Sequence, residues 1–148
     1  MPAQTVTRVL GLDFGTTNSV AALGLGGGSP QLIAFAAPSD TSVDVFRSAL
    51  CFWLDDAVAG GQSVEAGPWA IAEYLAFPQD SRFIQSFKSV AASASFEHAS
   101  IFERRFRFEE LGRIFLDRLR RHAGDALAVR PDRVIVGRPV VYAGASPD

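Results

Sequence analysis

The fold of this chain is decided by the stretch Gly11-Leu12-Asp13-Phe14-Gly15-Thr16-Thr17-Asn18-Ser19. The residues that lead into it, Val6 to Asp13, are dense in apolar and β-branched side chains, which predicts a buried strand running into a tight turn. A second strand is predicted over Ser19–Leu25 and a third over Gln31–Ala36, separated by a glycine-rich turn. Because that turn is short, the second and third strands are expected to pair as an antiparallel hairpin.

The same stretch contains groups that suit a bound polyphosphate. Asp13 places a carboxylate at the end of a strand, and magnesium near a polyphosphate takes carboxylate oxygens, often through water. Gly15 lets the backbone approach a phosphate without a Cβ in the way. Thr16 and Thr17 offer hydroxyls, and the turn offers peptide N–H groups. The residues alone leave two interpretations open, an anion-binding concavity or a plain turn with a capping aspartate.

Further strands and a helix are predicted along the chain. A strand is expected over Ser48–Leu54, and Pro68 in a first turn opens a helix over Trp69–Phe77. The apolar run Val134–Val136 has no polar face, which predicts a central strand covered on both sides. A long helix before that strand indicates a crossover connection and therefore a mixed sheet.

That long helix is predicted from a capping-box pattern, Ser100 followed by Glu103, and is expected to run to about His122 with Gly124 as its C-terminal cap. Seven arginines lie in the segment 104–121, which could indicate a nucleic-acid-binding face. Acidic residues alternate with these arginines, so a solvated helix face with ion pairs four residues apart is the favoured interpretation.

Composition excludes several classes of protein. The chain has 148 residues, of which 48% are hydrophobic and 20% charged, and this is globular rather than disordered usage. Its net charge of −2 argues against a protein that coats nucleic acid. One cysteine, Cys51, excludes an internal disulfide framework. With no apolar run long enough for a membrane helix and no secretion signal, we expect a cytoplasmic protein.

The Gly11–Ser19 stretch closely resembles the first phosphate-binding motif of the actin-like ATPase superfamily. Within it, the match is to the heat shock protein 70 (DnaK-like) chaperones, whose version reads Asp-Leu-Gly-Thr-Thr-Asn-Ser, with Phe14 here replacing the leucine. Ala49–Phe52 sits where that family has a Pro-Ser-x-Val-x-Phe strand, and Phe87-Lys88-Ser89-Val90 where it has its catalytic lysine. Val134–Tyr142 resembles the family's Val-Ile-Thr-Val-Pro-Ala-Tyr-Phe strand and loop, and its Gly-Arg-Pro is closer to the divergent YegD-like branch than to the general housekeeping chaperones.

The resemblance implies a role for each matched residue. Asp13 would hold magnesium through water. Lys88, the chain's only lysine, would place its ammonium on the γ-phosphate and the attacking water and act as a catalytic residue together with Asp13 and Thr17. Pro139 would relay the nucleotide state. The implied nucleotide-binding residues are Gly15, Thr16, Thr17 and Asn18.

The implied fold is α/β, a ribonuclease-H-like or actin-like ATPase lobe whose mixed sheet has an antiparallel hairpin and an inserted small α+β subdomain. Residues 1–37 and 100–148 would form the first-lobe core, truncated after its fourth strand, and residues 38–99 the inserted subdomain. The chain is then expected to be an N-terminal fragment of the nucleotide-binding domain, inactive and weak in ATP binding by itself, while the parent protein hydrolyses ATP.

The resemblance also implies partners. ATP or ADP with Mg2+ is the expected ligand, and unfolded protein clients or co-chaperones are the expected macromolecular partners, with no nucleic acid and no membrane. A truncated sheet edge at Val134–Val136 is expected to let the fragment self-associate. Three alternatives are weighed. Two belong to the actin-like superfamily: a sugar or acetate kinase, which shares the Asp-x-Gly-Thr pattern, and a filament-forming relative. The third is a ribonuclease-H-like metal-dependent nuclease, in which a first-strand aspartate binds the catalytic metal.

Overall fold

A computed structural model describes residues 6–91 and 96–137 of the chain. The helices are α1 (Gly67–Ala76), α2 (Phe87–Ala91) and α3 (Phe108–His122), and a 3-10 turn spans Gly124–Leu127. The strands are, in chain order, β1 (Arg8–Phe14), β2 (Asn18–Leu25), β3 (Gln31–Leu32), β4 (Phe35–Ala37), β5 (Thr41–Val43), β6 (Phe46–Arg47), β7 (Ala49–Leu54), β8 (Gln62–Ala66), β9 (Ser81–Gln85), β10 (Ala99–Ile101), β11 (Arg104–Phe106) and β12 (Arg133–Gly137). None of the helices in the described ranges has both the length and the apolar character needed to cross a membrane.

The largest sheet has the first two strands at its centre. Its order is β12-β1-β2-β3, and β6 also pairs with β2. β1 runs parallel to β12 and antiparallel to β2, so the predicted mixed sheet is confirmed. The predicted hairpin of the second and third strands is confirmed as well, because β2 and β3 pair antiparallel.

The predicted third strand is wrong in its extent. β3 covers Gln31–Leu32, and Ile33 still donates its N–H to the Ala21 carbonyl at 2.9 Å. The chain then leaves the sheet, and Phe35–Ala37 pairs with Thr41–Val43 instead. The cause is Phe35, a fully buried side chain that packs its ring against the aromatic core.

The predicted start of the long helix is also wrong. Ser100 and Glu103 do not form a capping box, because residues 99–106 fold as the β10–β11 hairpin, whose turn holds Phe102 in the left-handed region at φ 53°. The hairpin buries Phe106 against the Phe52 ring, with the two centroids 5.3 Å apart. Helix α3 begins later, and the Glu110 carboxylate accepts the Arg107 N–H at 2.8 Å at its first turn. Its C-terminal cap is confirmed, since Gly124 has φ +54°.

Strand β12 forms where the apolar run predicts it, but the predicted coverage of both faces is wrong for the described structure. Val134, Ile135 and Val136 are 53%, 56% and 54% exposed. In register, Val134 and Val136 lie beside Leu10 and Leu12 of β1, which are buried. The core that covers β1 therefore does not extend over β12, the strand at the edge of the sheet.

A second sheet, of order β8-β7-β9, packs against α1. Its central strand confirms the strand predicted over Ser48–Leu54, and α1 confirms the helix predicted to start near Pro68. Gly67 begins α1 with φ +63°, and a Cβ at that position would lie 2.4 Å from Cζ of Phe46. This close approach requires glycine, because the Phe46 ring is itself fully buried and has no room to move.

The core is organised around Phe115 of α3, which is fully buried. Its ring centroid lies 5.2 Å from that of Phe14, 5.7 Å from that of Phe46 and 5.8 Å from that of Phe87. These rings come from β1, β6, α2 and α3. The segment 38–99, predicted to be an inserted subdomain, thus shares one apolar cluster with the strands and helix on either side of it.

Cys51, at the centre of the second sheet, is expected to react slowly with a thiol reagent in the folded protein. Burial raises the pKa of its thiol above the ordinary 9.0, a hydrogen bond with Ser81 lowers it, and the Glu73 carboxylate raises it. The folded state holds this proton more tightly than the unfolded state, so the free energy of unfolding should fall as the pH rises past 9.0. The rate of reaction of the Cys51 thiol with Ellman's reagent is measured with and without urea. Equal rates in the folded and unfolded protein would show that burial does not protect the thiol.

Candidate functional site

The loop between β1 and β2 is an exposed turn formed by Gly15, Thr16 and Thr17. Both threonines are exposed, and so are Asp13 near the end of β1 and Asn18 at the start of β2. Asp13 pairs in register with Val20 of β2 and Gly137 of β12, so its carboxylate belongs to the loop end of the sheet. The structure therefore places the predicted carboxylate, glycine and threonines around one turn.

Gly15 is required by its neighbours in this turn. A Cβ at this position would lie 2.3 Å from the carbonyl oxygen of Asn18, which is a backbone atom. The φ angle is not left-handed, so the requirement is one of space rather than of backbone conformation. The two ends of the loop therefore lie close together in a compact turn.

Two hydrogen bonds from Ser48 hold the loop against the buried interior. Its hydroxyl donates to the Gly15 carbonyl at 2.7 Å, and its backbone N–H donates to the Thr17 carbonyl at 2.9 Å. The Ser48 hydroxyl also lies 3.0 Å from the Ser19 hydroxyl, and both serines are buried. The residues that hold the loop in place thus come from the segment between β6 and β7, as well as from the loop's own strands.

Lys88 reaches the same loop from α2. Its ammonium nitrogen donates a hydrogen bond to the carbonyl oxygen of Phe14, and it lies 5.0 Å from the centroid of the Phe14 ring. The structure therefore brings together the lysine and the turn, although 74 residues separate them in sequence. An ammonium has three N–H donors, so its bond to Phe14 does not by itself prevent contact with a phosphate oxygen.

Aromatic packing determines where Lys88 lies. Phe87, the residue before it, is buried, and its ring centroid lies 5.9 Å from that of Phe14. The Phe14 ring in turn stacks on Phe115. Because the loop and α2 rest on the same cluster of rings, the core fixes the position of the ammonium relative to the turn.

The residues fit a magnesium ion that keeps water and phosphate ligands rather than one enclosed by protein. Asp13 offers one exposed carboxylate beside the turn. Within residues 6–91 and 96–137, no three His, Cys, Asp or Glu side chains are grouped so that they could hold a metal ion. Magnesium commonly binds through one or two carboxylates together with phosphate oxygens and several waters. Asp13 is suited to that mode, through a bridging water.

Pro139, the predicted relay residue, lies outside the described residues.

Arg113, Arg120 and Arg121 of α3 are exposed, as the predicted solvated helix face requires, but the ion pairs of Arg118 differ from the predicted spacing. Nε of Arg118 donates to the Val64 carbonyl at 3.1 Å and lies 3.9 Å from Oε1 of Glu65, and Nη1 lies 3.6 Å from Oδ2 of Asp117. Two of these contacts join α3 to β8, and the third is with Asp117, the residue before Arg118. None of them is an ion pair between residues four positions apart. Glu65 also lies 2.8 Å from Nε2 of His122. Arg118 thus links α3 to β8.

The sequence does not predict that Ser48 and Ser19 hold the loop by hydrogen bonds. Ser19 belongs to the phosphate motif, but the motif indicates no contact for it, and Ser48 is only the first residue of a predicted strand. A polar residue directly before a run of buried apolar ones is a weak signal for such a role. The contact between residues 33 positions apart in sequence appears only in the folded chain.

Neither a protein-family model nor a curated protein sequence matches this chain. The resemblance to the heat-shock-70 family therefore rests on the motifs of the sequence alone.

Proposed function

We propose that this chain supplies the first phosphate-binding loop and the catalytic lysine of a heat-shock-70-like ATPase of the actin-like superfamily. The observation on which the proposal rests is the contact between Lys88 and the Phe14 carbonyl, since it brings the chain's only lysine to the turn that the motif assigns to phosphate. The proposed ligand is ATP or ADP with Mg2+.

In this proposal, the residues of the turn and Lys88 have separate roles. The amides and hydroxyls of Thr16 and Thr17, with Gly15 and Asn18 beside them, hold the β- and γ-phosphates. The Lys88 ammonium stabilises the charge that develops on the γ-phosphate. Bound magnesium neutralises phosphate charge, and Asp13 orients one of its waters.

We also propose a cytoplasmic location, which agrees with a chain whose one cysteine is free and buried. Unfolded protein clients and co-chaperones are partners that the family resemblance alone implies. Self-association through β12 stays a prediction, to which the exposure of its apolar residues gives a physical basis.

Titration of the 15N-labelled chain with magnesium–ATP tests the proposed function by nuclear magnetic resonance. We expect the amide signals of Gly15, Thr16 and Thr17 to shift, with a dissociation constant in the millimolar range because this turn is one wall of the family's two-walled cleft. Magnesium–ADP should reproduce the shifts. AMP lacks the β- and γ-phosphates and should leave the signals in place. Equal shifts with AMP, or none in the loop with ATP, would refute the proposal.

Replacing Lys88 with alanine should weaken magnesium–ATP binding about tenfold or more, because a charge-assisted hydrogen bond to phosphate is lost. Arg113→Ala is the matched control, since it removes the same charge from an exposed position on α3. The same titration should show less than about a twofold change for this control. Equal weakening in both variants would indicate a general charge effect and remove Lys88 from the site.

A further inference from the structure

We propose that Ser48 is a positioning residue for the β1–β2 loop, and that it aims two backbone amides toward a bound phosphate. The inference rests on the proposed function, because it identifies what prepares the loop for its ligand. Ser48 lies outside the phosphate motif, at a bend between β6 and β7, and it is 1% exposed. It therefore acts from the buried side of the loop and has no contact with the ligand itself.

Two bonds from this one residue hold two carbonyls of the loop. The Ser48 hydroxyl holds the Gly15 carbonyl at 2.7 Å, and the Ser48 backbone N–H holds the Thr17 carbonyl at 2.9 Å. Each carbonyl is thus drawn toward the interior. The second bond continues the pairing of β2 with β6 by one residue, since Asn18 lies opposite Arg47 in that ladder.

The orientation of the amides follows from the geometry of the peptide group. In a planar trans peptide the N–H points opposite to the C=O. The Gly15 carbonyl shares its peptide with the Thr16 amide, and the Thr17 carbonyl shares its peptide with the Asn18 amide. With both carbonyls directed at Ser48, both N–H groups point away from it, on a loop whose side chains are exposed. Both amides are thus available on the side of the loop that faces away from Ser48, and exposed backbone amides of a turn can donate hydrogen bonds to an oxyanion.

Ser19 extends this arrangement by one hydrogen bond. A serine hydroxyl has one hydrogen to donate, and that of Ser48 is committed to the Gly15 carbonyl. In the 3.0 Å contact between the two serine hydroxyls, Ser19 is therefore the donor. Loss of the Ser19 hydroxyl leaves the Gly15 bond in place, whereas loss of the Ser48 hydroxyl removes both. The two variants should accordingly differ in severity.

The test compares Ser48→Ala and Ser19→Ala with the unsubstituted chain in the magnesium–ATP titration. Ser48→Ala should weaken binding about tenfold and Ser19→Ala about threefold. The reason is that the apparent affinity falls in proportion to the fraction of molecules whose loop is in the binding conformation. In the ligand-free chain, 15N relaxation of Thr16 and Asn18 should show faster motion in Ser48→Ala.

Ser81→Ala is the matched control. Ser81 is 4% exposed, and its hydroxyl donates to the Phe77 carbonyl at 2.8 Å, far from the loop in sequence. It should lose a similar amount of stability in urea and keep its affinity within about twofold. An unchanged affinity in Ser48→Ala, or equal weakening in Ser81→Ala, overturns the positioning role while leaving the proposed function intact. Failure of the unsubstituted chain to shift its loop signals overturns the proposed function and the inference with it.

Discussion

Replacing Phe115 with alanine is expected to lower the free energy of unfolding by about 4 kcal/mol. The side chain is fully buried, and its ring contacts those of Phe14, Phe46 and Phe87. Alanine removes the apolar surface of the ring and leaves a cavity bordered by elements that are distant in sequence. Urea denaturation followed by circular dichroism measures the loss.

The matched control for this substitution is Phe77→Ala, because Phe77 is 55% exposed. It should cost less than about 1 kcal/mol. Phe115→Leu keeps most of the apolar volume and should recover more than half of the stability lost in Phe115→Ala. Similar losses for Phe115→Ala and Phe77→Ala would show that Phe115 does not hold the central place in the core that its contacts indicate.

Replacing Gly15 with alanine is expected to abolish the loop shifts that the proposed function predicts on addition of magnesium–ATP. The added Cβ would lie 2.3 Å from the Asn18 carbonyl oxygen. That oxygen belongs to the backbone, so relief of the clash requires the hairpin to open at the turn. The opening would displace the Gly15 carbonyl from Ser48 and the neighbouring amides from their orientation. The 15N titration described above measures the result.

Gly11→Ala provides the comparison, because it makes the same substitution on the strand that leads into the loop, at a position where the added Cβ would have ordinary contacts. A Cβ at Gly11 would lie 3.8 Å from the Ala22 carbonyl oxygen. This variant should keep its affinity within about twofold and its fold unchanged. Retained loop shifts in Gly15→Ala would show that the turn tolerates a side chain, and that its compactness is unnecessary for the ligand.

The sequence predicts the turn and the strands on either side of it because their signals are local. A β-branched segment followed by Asp13, Gly15 and two threonines needs no distant partner to be recognised. The family resemblance predicts that Lys88 lies near this turn. In the structure, the Lys88 ammonium donates a hydrogen bond to the Phe14 carbonyl at the start of the turn. The assignment of ATP stays a prediction.

Other features depend on tertiary contacts that no local pattern shows. The Ser100 and Glu103 spacing is that of a helix start, yet packing of Phe106 on Phe52 favours a hairpin with Phe102 in a left-handed conformation. The coverage of β12 depends on how far the neighbouring core extends. The role of Ser48 depends on bonds that only the folded chain brings together.

Phe14 presents its carbonyl oxygen to Lys88 and its ring to Phe115, so one residue links the lysine at the turn to the interior. Heating that loosens the stacked rings should release the ammonium from the turn at the same moment. The proposed binding of nucleotide and the near-ultraviolet signal of the aromatic side chains should then disappear along a single melting curve.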